Sequence, residues 1–288
     1  MLALSFLLAA VGPAADPKPH DEANPLYREL RETGAVIAGK ERVTLPAPSI
    51  ADGLSAAQQQ KAIQQVAGED YTVEELVRPS VVTPFVLKLR DIKSDDPEAP
   101  IRGMDLWFVV YGSLEMDVGG AFIERALGSD RKDGQARELK PEELAQRNIQ
   151  VQDKHETYGQ VIFTFLERVE VQATGRAYWT KTADSFLAAA QLDPRFEKDA
   201  DFPNRWRSID RDDPAKRGPW KPYSGSAQYL KVTRLAEPPG ALFAEYHLAF
   251  AEPTGWFDGA NFLRSKLPPA AQQIVRSMRR ELLKAQKK

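Results

Sequence analysis

The apolar positions in the first 80 residues recur at helical spacing. An apolar stripe over residues 25–33 predicts a short helix that ends at a glycine. Two further helices begin at capping boxes, in which a Ser or Thr is followed three residues later by Gln or Glu. The first starts at Ser55 and the second at Thr72. The second ends before Pro79, because the residue ahead of a proline disfavours helical geometry. Residues 42–45 predict only a brief strand.

From residue 85 onwards apolar and polar residues alternate, which is the period of strands with one buried face. The alternation predicts a series of antiparallel strands joined by hairpins. The predicted strands cover residues 85–90, 104–111, 161–173, 176–180, 229–235 and 242–250. A run of alanines in residues 186–192 fits either a further strand or a short helix.

The sequence ends in a helical pattern. Pro268 and Pro269 open a long C-terminal helix, because proline is favoured in the first helical turn. Its buried stripe consists of Ile274, Met278 and Leu282, which recur every four residues.

Two internal stretches are harder to interpret. Residues 115–153 are mixed, with candidate helices over residues 121–127 and 141–147. Residues 194–224 show no period and are rich in Pro, Asp, Arg and aromatic residues. We expect a long loop there, and loops of that length are usually functional, inserted or partly disordered.

These elements predict the α+β fold class. An antiparallel β-sheet packs against the long C-terminal helix, and two short helices lie near the N-terminus, in a helix-grip-like layout. Residues 25–288 form one domain, which includes the long aromatic, Arg- and Asp-rich loop at 194–224.

The N-terminus predicts export. Residues 2–12 form an apolar run that is too short to span a bilayer and is followed by a proline-rich polar stretch. We interpret residues 1–14 as a cleaved signal peptide and residues 15–24 as a flexible segment, which places the mature chain in the periplasm or outside the cell. The alternative is a buried N-terminal helix. No other stretch is long and apolar enough to cross a membrane.

Composition excludes several chemistries. The chain has 288 residues, no cysteine and three histidines, with a net charge of −2. The lack of cysteine removes disulfides, thiol nucleophiles, iron–sulfur clusters and cysteine zinc sites. Three histidines make a multi-histidine metal site improbable. The balanced charge disfavours nucleic-acid binding. We therefore expect no cofactor, no metal and no nucleic-acid partner.

Two motif matches fail on inspection. Residues 34–40 resemble a phosphate-binding loop, but Glu41 follows the lysine where a Ser or Thr is needed. Residues 129–134 resemble the start of a calcium loop, but Lys140 falls at the twelfth position, where calcium needs a carboxylate.

Histidine catalysis remains an open alternative. His20 falls in the segment expected to be flexible, and His155 precedes the longest predicted strand. Glu245 and His247 share one face of the last strand, which is not its more apolar face. We expect this pair to face water or a second layer of structure. No side chain is singled out as catalytic.

The order of elements from residue 42 to 288 resembles the helix-grip fold of START-like proteins, a superfamily that holds lipids and other apolar molecules. No motif accompanies the likeness. The resemblance implies a curved sheet that grips the last helix, with a cavity for a small apolar ligand between them. Loop 194–224 would then act as a lid over the pocket. The implied lining residues are Trp107, Tyr178, Trp179, Tyr246 and Trp256, with Arg264 as a polar anchor. Trp206 is added as a predicted ligand-binding residue from the aromatic loop, whose aromatic residues could alternatively form a small core of their own.

Three functions remain under consideration. The first is an exported, non-enzymatic protein that binds an apolar or lipid-like ligand. The second is a cofactor-free hydrolase or lyase that uses carboxylates with a histidine. The third is a cell-envelope protein that acts through its surface, with protein partners that the sequence does not identify.

Overall fold

The computed structural model describes residues 18–38, 42–94, 96–114, 135–257 and 261–285. The expected signal peptide, the candidate helix at 121–127 and the calcium-like turn lie outside these ranges, as does the lysine of the phosphate-loop match. The helices are α1 (His20–Ala23), α2 (Pro25–Glu32), α3 (Ala56–Ala67), α4 (Val73–Val77), α5 (Pro141–Ala145) and α6 (Phe262–Ala285).

Twelve strands are described. They are β1 (Ala35–Val36), β2 (Arg42–Val43), β3 (Val86–Ile92), β4 (Ile101–Tyr111), β5 (Gln135–Glu138), β6 (Glu156–Phe165), β7 (Val169–Lys181), β8 (Ser185–Leu192), β9 (Arg205–Ser208), β10 (Lys221–Pro222), β11 (Ser226–Arg234) and β12 (Ala241–Ala251). The α+β class is confirmed, with a large antiparallel sheet, a long C-terminal helix and short N-terminal helices. Within the described ranges, none of the helices combines the length and apolar composition needed to span a lipid bilayer.

The main sheet contains ten strands, and every neighbouring pair is antiparallel. Across the sheet the strands follow the order β3, β4, β12, β11, β8, β7, β6 and β5. Strand β9 pairs with the first residues of β7, on the same edge that pairs with β8 further along the strand. Strand β10 pairs with the outer edge of β9. In this register Tyr229, His247 and Asp105 lie side by side on one face.

The sheet is strongly curved around α6. The rings of Phe165 in β6 and Phe250 in β12 lie 6.0 Å apart, although three strands separate β6 from β12 in the sheet order. A flat sheet would place such strands roughly 19 Å apart. The concave side therefore closes over α6, whose Leu267, Val275 and Met278 are buried in the main core.

The opposite face of the sheet is also covered. Helix α2 packs there through Tyr27, whose ring meets Tyr229 edge-on at 5.2 Å. Helix α3 adds a second core, in which Ile63 and Val66 pack with Trp107. Both faces of β12 are consequently buried along its full length. The second layer that we expected beside His247 is present.

Residues 161–173 were predicted as one strand, and this prediction is wrong. They form a hairpin between β6 and β7, with Leu166 and Glu167 at positive φ in the turn. Phe165 pairs with Val169, so the turn advances the chain by four residues. Because four is an even number, the inward-facing positions keep the same parity on both sides. The apolar alternation therefore continues through the turn and conceals it.

Other boundaries also differ from the predictions. Helix α6 begins at Phe262, so Pro268 and Pro269 lie inside it and do not open it. The stretch 194–224 contains a 3₁₀ turn at Pro194–Phe196 as well as β9 and β10. Residues 18–24, expected to be flexible, contain α1 and a buried His20. The alanine run forms strand β8, and the mixed stretch contains β5 and α5.

Candidate functional site

The predicted ligand-binding side chains do not converge on one pocket. Their positions follow from strand parity and from the core contacts. On the α6 side of the sheet lie Trp179, Trp206, Tyr246 and Trp256. Trp107 and Tyr178 lie on the opposite face. Arg264 lies at the start of α6 and is exposed.

Trp206 and Trp256 meet in an aromatic cluster where the two ends of the curved sheet approach each other. Their ring centroids lie 6.0 Å apart. The cluster consists of Phe165, Trp206, Tyr223, Phe250, Trp256 and Phe257. Trp256 is its centre and is only 2% exposed.

A tight turn after β12 places Trp256 in this cluster. Gly255 adopts a φ of 93°, a left-handed backbone conformation that residues other than glycine rarely adopt. The amide of Trp256 then donates to the carbonyl of Pro253 at 3.0 Å. The indole stacks on Tyr223 at 5.3 Å, and burial raises the pKa of the Tyr223 hydroxyl.

A small cavity adjoins the cluster at the start of α6. It has a volume of about 20 Å³, enough for roughly one water molecule. Its lining combines apolar side chains with charged ones. It consists of Leu89, Phe250, Leu263 and Leu267, of Gly103, and of Arg90, Asp91, Arg102 and Arg264. Phe250 also belongs to the aromatic cluster, so the cavity and the cluster share this side chain.

The helical turn over this cavity is weakly joined to the rest of α6. Pro268 and Pro269 have no amide hydrogen, so the carbonyls of Arg264 and Ser265 cannot receive the usual helical hydrogen bonds. The exposed side chain of Arg264 donates to the carboxylate of Asp91 at 3.1 Å. Residues 262–267, called the hinged turn below, therefore lack two of the helical hydrogen bonds that would join them to the rest of α6.

The opposite face of the sheet contains a buried ionic cluster. Nδ1 of His247 lies 2.8 Å from Oδ1 of Asp105, which also accepts from Arg90 at 2.6 Å through its other oxygen. Nε2 of His247 lies 3.8 Å from Glu245, which is too long for a hydrogen bond, and it has no partner among the described residues. His247 is 1% exposed and Glu245 is fully buried.

Electrostatics favour a charged imidazole in this cluster. Burial disfavours the imidazolium, but the carboxylates of Asp105 and Glu245 outweigh it and raise the pKa of His247. Burial would likewise raise the pKa of Asp105, but hydrogen bonds from His247 and Arg90 lower it. The arrangement can orient an imidazole and hold a proton at Nδ1.

An extended segment, residues 46–53, covers the cluster and is called the strap below. Sheet side chains bind both its backbone and its side chains. Tyr229 donates to the carbonyl of Pro46 (2.8 Å), Glu245 accepts from the amide of Ser49 (2.6 Å), Lys231 donates to the carbonyl of Ile50 (2.7 Å), and Trp107 donates to the hydroxyl of Ser49 (3.0 Å). Access to His247 therefore requires the strap to move.

A second polar group fastens the end of the strap. Asp52 binds Lys231 at 2.8 Å and accepts from Ser185 at 2.7 Å. Ser185 also contacts Nε2 of His20 at 2.7 Å. Burial lowers the pKa of His20 to about 4. Burial would raise the pKa of Asp52, but Lys231 lowers it to about 2.

Sequence reasoning missed several residues of these polar groups. Asp105 and Lys231 each interrupt an apolar strand, and a charge in such a position signals a buried partner. His20 gave no comparable signal, because its partners are more than 150 residues away in the sequence. His155 lies elsewhere, stacked on Trp179 at 4.3 Å. In the ranges described, no three His, Asp or Glu residues are grouped as metal ligands.

The chain matches no family model and no curated protein. Among solved structures, a conserved protein from Geobacillus kaustophilus aligns with 64% of this chain and 95% of its own, at 9% identity and a TM-score of 0.31. The di-domain ARO/CYC protein BexL from the BE-7585A biosynthetic pathway aligns with 69% of this chain and 75% of its own, at 9% identity and a TM-score of 0.22. At these TM-scores neither likeness carries an argument about fold or function.

Proposed function

We propose that this chain binds an apolar, lipid-like molecule between the curved sheet and α6, without catalysing a reaction. The observation that carries the proposal is the cavity beneath the hinged turn of α6, whose lining residue Phe250 also belongs to the aromatic cluster. Small-molecule binding sites typically combine apolar lining with a small number of polar groups that orient the ligand.

Binding would require the hinged turn to move. The cavity of about 20 Å³ is far smaller than a lipid chain, so a ligand must displace Leu263 and Leu267. The missing helical hydrogen bonds at Pro268 and Pro269 lower the cost of that movement. Apolar contact with the ligand replaces the displaced packing, at about 25 cal/mol for each Å² removed from water.

The START-like layout and the expected export are part of the same proposal. The resemblance implies a ligand between the sheet and the last helix, which is where the cavity lies. A signal peptide over residues 1–14 would deliver the chain to the periplasm or beyond. Ligand capture in that compartment needs neither a cofactor nor a catalytic residue.

The direct test is binding of N-phenyl-1-naphthylamine, an uncharged apolar fluorophore. We expect saturable fluorescence enhancement with the native chain. Leu267→Trp fills the cavity and should weaken binding at least tenfold. Lys266→Trp is the matched control, because it adds the same side chain at an exposed neighbouring position. Absence of saturable binding, or equal binding by the Leu267→Trp chain, would contradict the proposal.

A second candidate function is cofactor-free hydrolysis or lyase chemistry at His247. It is favoured by the Asp105–His247 contact of 2.8 Å and by the partnerless Nε2 beside Glu245. A screen of uncharged esters would test hydrolysis, with the His247→Gln and His155→Gln chains compared. Catalysis at this site requires activity that only the His247 variant loses.

A further inference from the structure

The indole N–H of Trp256 is a buried donor without an acceptor. The side chain is 2% exposed, and Nε1 has no hydrogen-bond partner in the part of the chain that the structure describes. Leaving a buried donor unpaired costs about 1–3 kcal/mol. Buried polar groups are almost always paired, so an exception at a candidate binding site points to a missing acceptor.

The surrounding side chains do not provide a conventional acceptor. Phe165, Phe250 and Phe257 have no polar atoms, and the indole of Trp206 only donates. The hydroxyl of Tyr223 donates to the carbonyl of Ala251, at 3.4 Å, and does not pair with Nε1. Among the described residues of the cluster, none therefore accepts the Trp256 N–H.

We propose that the ligand of this chain carries a neutral oxygen acceptor that receives the Trp256 N–H, as in a long-chain ketone, ester or alcohol. The inference rests on the proposed function, because it assumes that an apolar molecule enters beside α6. It adds the chemical class of that molecule. An ionised carboxylate fits poorly, since one neutral donor among apolar rings does not offset the loss of hydration of a full charge.

The route from the cavity to Trp256 is short. Phe250 lines the cavity and stacks near Trp256, with ring centroids 6.3 Å apart. An alkyl chain that displaces Leu263 and Leu267 passes Phe250 before it reaches the indole. The oxygen then lies within the aromatic cluster, while the rest of the ligand lies beneath the hinged turn.

The test compares 2-dodecanone with dodecane as competitors of N-phenyl-1-naphthylamine. The two molecules have similar length, but only the ketone has an acceptor. In Trp256→Phe the ring remains and the donor is lost. We expect this change to weaken ketone binding about tenfold and to leave dodecane binding within about twofold. For each chain we compare the ketone affinity with the dodecane affinity. The change in this ratio between the native and Trp256→Phe chains does not depend on the different water solubilities of the two molecules.

Trp206→Phe is the matched control, because Trp206 lies in the same cluster. It should change the binding of both competitors equally. If neither competitor displaces the fluorophore from the native chain, the proposed function fails. If both displace it and Trp256→Phe does not alter the ketone-to-dodecane ratio, only the present inference is overturned.

A second measurement needs no substitution. In the native chain, the indole N–H proton resonance of Trp256 should move downfield when 2-dodecanone binds, because a new hydrogen bond forms. Dodecane should not cause that shift. A Trp256 resonance that responds equally to both molecules would overturn the assignment of the donor, even if both molecules bind.

Discussion

The two faces of the sheet are built from the same strands but are held by different forces. On β12, Tyr246, Leu248 and Phe250 face α6, whereas Glu245 and His247 face the strap. All five side chains are almost completely buried. The α6 face is stabilised mainly by apolar burial, although the buried guanidinium of Arg279 also donates to the carbonyls of Val109 and Pro84. The strap face depends on matched buried charges, which lose much of their stability when one partner is removed.

This difference locates the candidate function. A face held by apolar packing can admit an apolar guest by exchanging one set of contacts for another. A face held by buried ion pairs resists opening, because each separated charge must be rehydrated or left unpaired. The proline-hinged turn lies on the α6 side, where opening costs less. The proposed ligand entry is therefore on the α6 side, and we expect the strap face to open less readily.

The largest expected effect is on the strap face. Glu245→Ala removes the acceptor for the Ser49 amide and one carboxylate beside His247. We expect unfolding free energy to fall by about 3–5 kcal/mol, measured by urea denaturation. Glu245→Gln is the control, since its amide oxygen can still accept from Ser49, and it should lose less. Equal losses of under 1 kcal/mol in both chains would break the comparison.

The α6 face should respond more moderately. Met278→Ala removes a buried side chain from the contact between helix and sheet, and should cost about 2–3 kcal/mol by denaturation. Lys284→Ala, on an exposed position of the same helix, should change stability by less than about 0.5 kcal/mol. A Met278→Ala chain that matches the control would mean that α6 is not packed as the structure shows.

The sequence was sufficient to predict the helix starts and the central strands, because these depend on neighbouring residues. The capping boxes at Ser55 and Thr72 have the expected reciprocal hydrogen bonds, and α3 and α4 begin directly after them. Strands β4 and β12 cover the predicted segments, and β11 covers all but the last residue of the segment 229–235. These features depend on residues close together in the chain, so one sequence is sufficient to find them.

The rest depended on distant contacts. The alternation of β6 and β7 did not reveal their hairpin, because the turn preserves parity. His20 was placed in a flexible segment, since nothing near it indicates Ser185 as its partner. Trp256 is among the predicted ligand-binding residues, but the lack of a partner for its N–H among the described residues follows only from the rings that meet around it when the sheet curves. Curvature of a sheet is not readable from strand periodicity.

The pH dependence of stability would sharpen the comparison, because the strap face contains a buried histidine, His247, whose pKa is raised. The pKa of His247 is raised in the folded chain, so the folded state binds this proton more tightly than the unfolded chain does. Its contribution is complete below the ordinary histidine pKa of about 6.5 and declines as pH rises through the folded value. Arg90 also donates to Asp105, and this second contact limits the loss.

We therefore expect the native chain to lose stability between neutral and alkaline pH relative to His247→Gln, measured by denaturation at a series of pH values. His155→Gln is the control, because His155 lies outside the strap face. A constant difference between the native and His247→Gln chains across this range would show that the imidazole does not gain a proton on folding.

The smallest effect is expected at the rim of the cavity. The Arg264–Asp91 pair spans 3.1 Å, but the two side chains are 66% and 59% exposed. Exposed pairs contribute about 0–1 kcal/mol, because water screens them and two mobile side chains must be ordered. Arg264→Ala should therefore leave the urea midpoint nearly unchanged. Since Arg264 also lies on the hinged turn, a loss above about 2 kcal/mol would mean that this turn is fixed by charge, as the strap is, and the two faces would no longer differ in how they open.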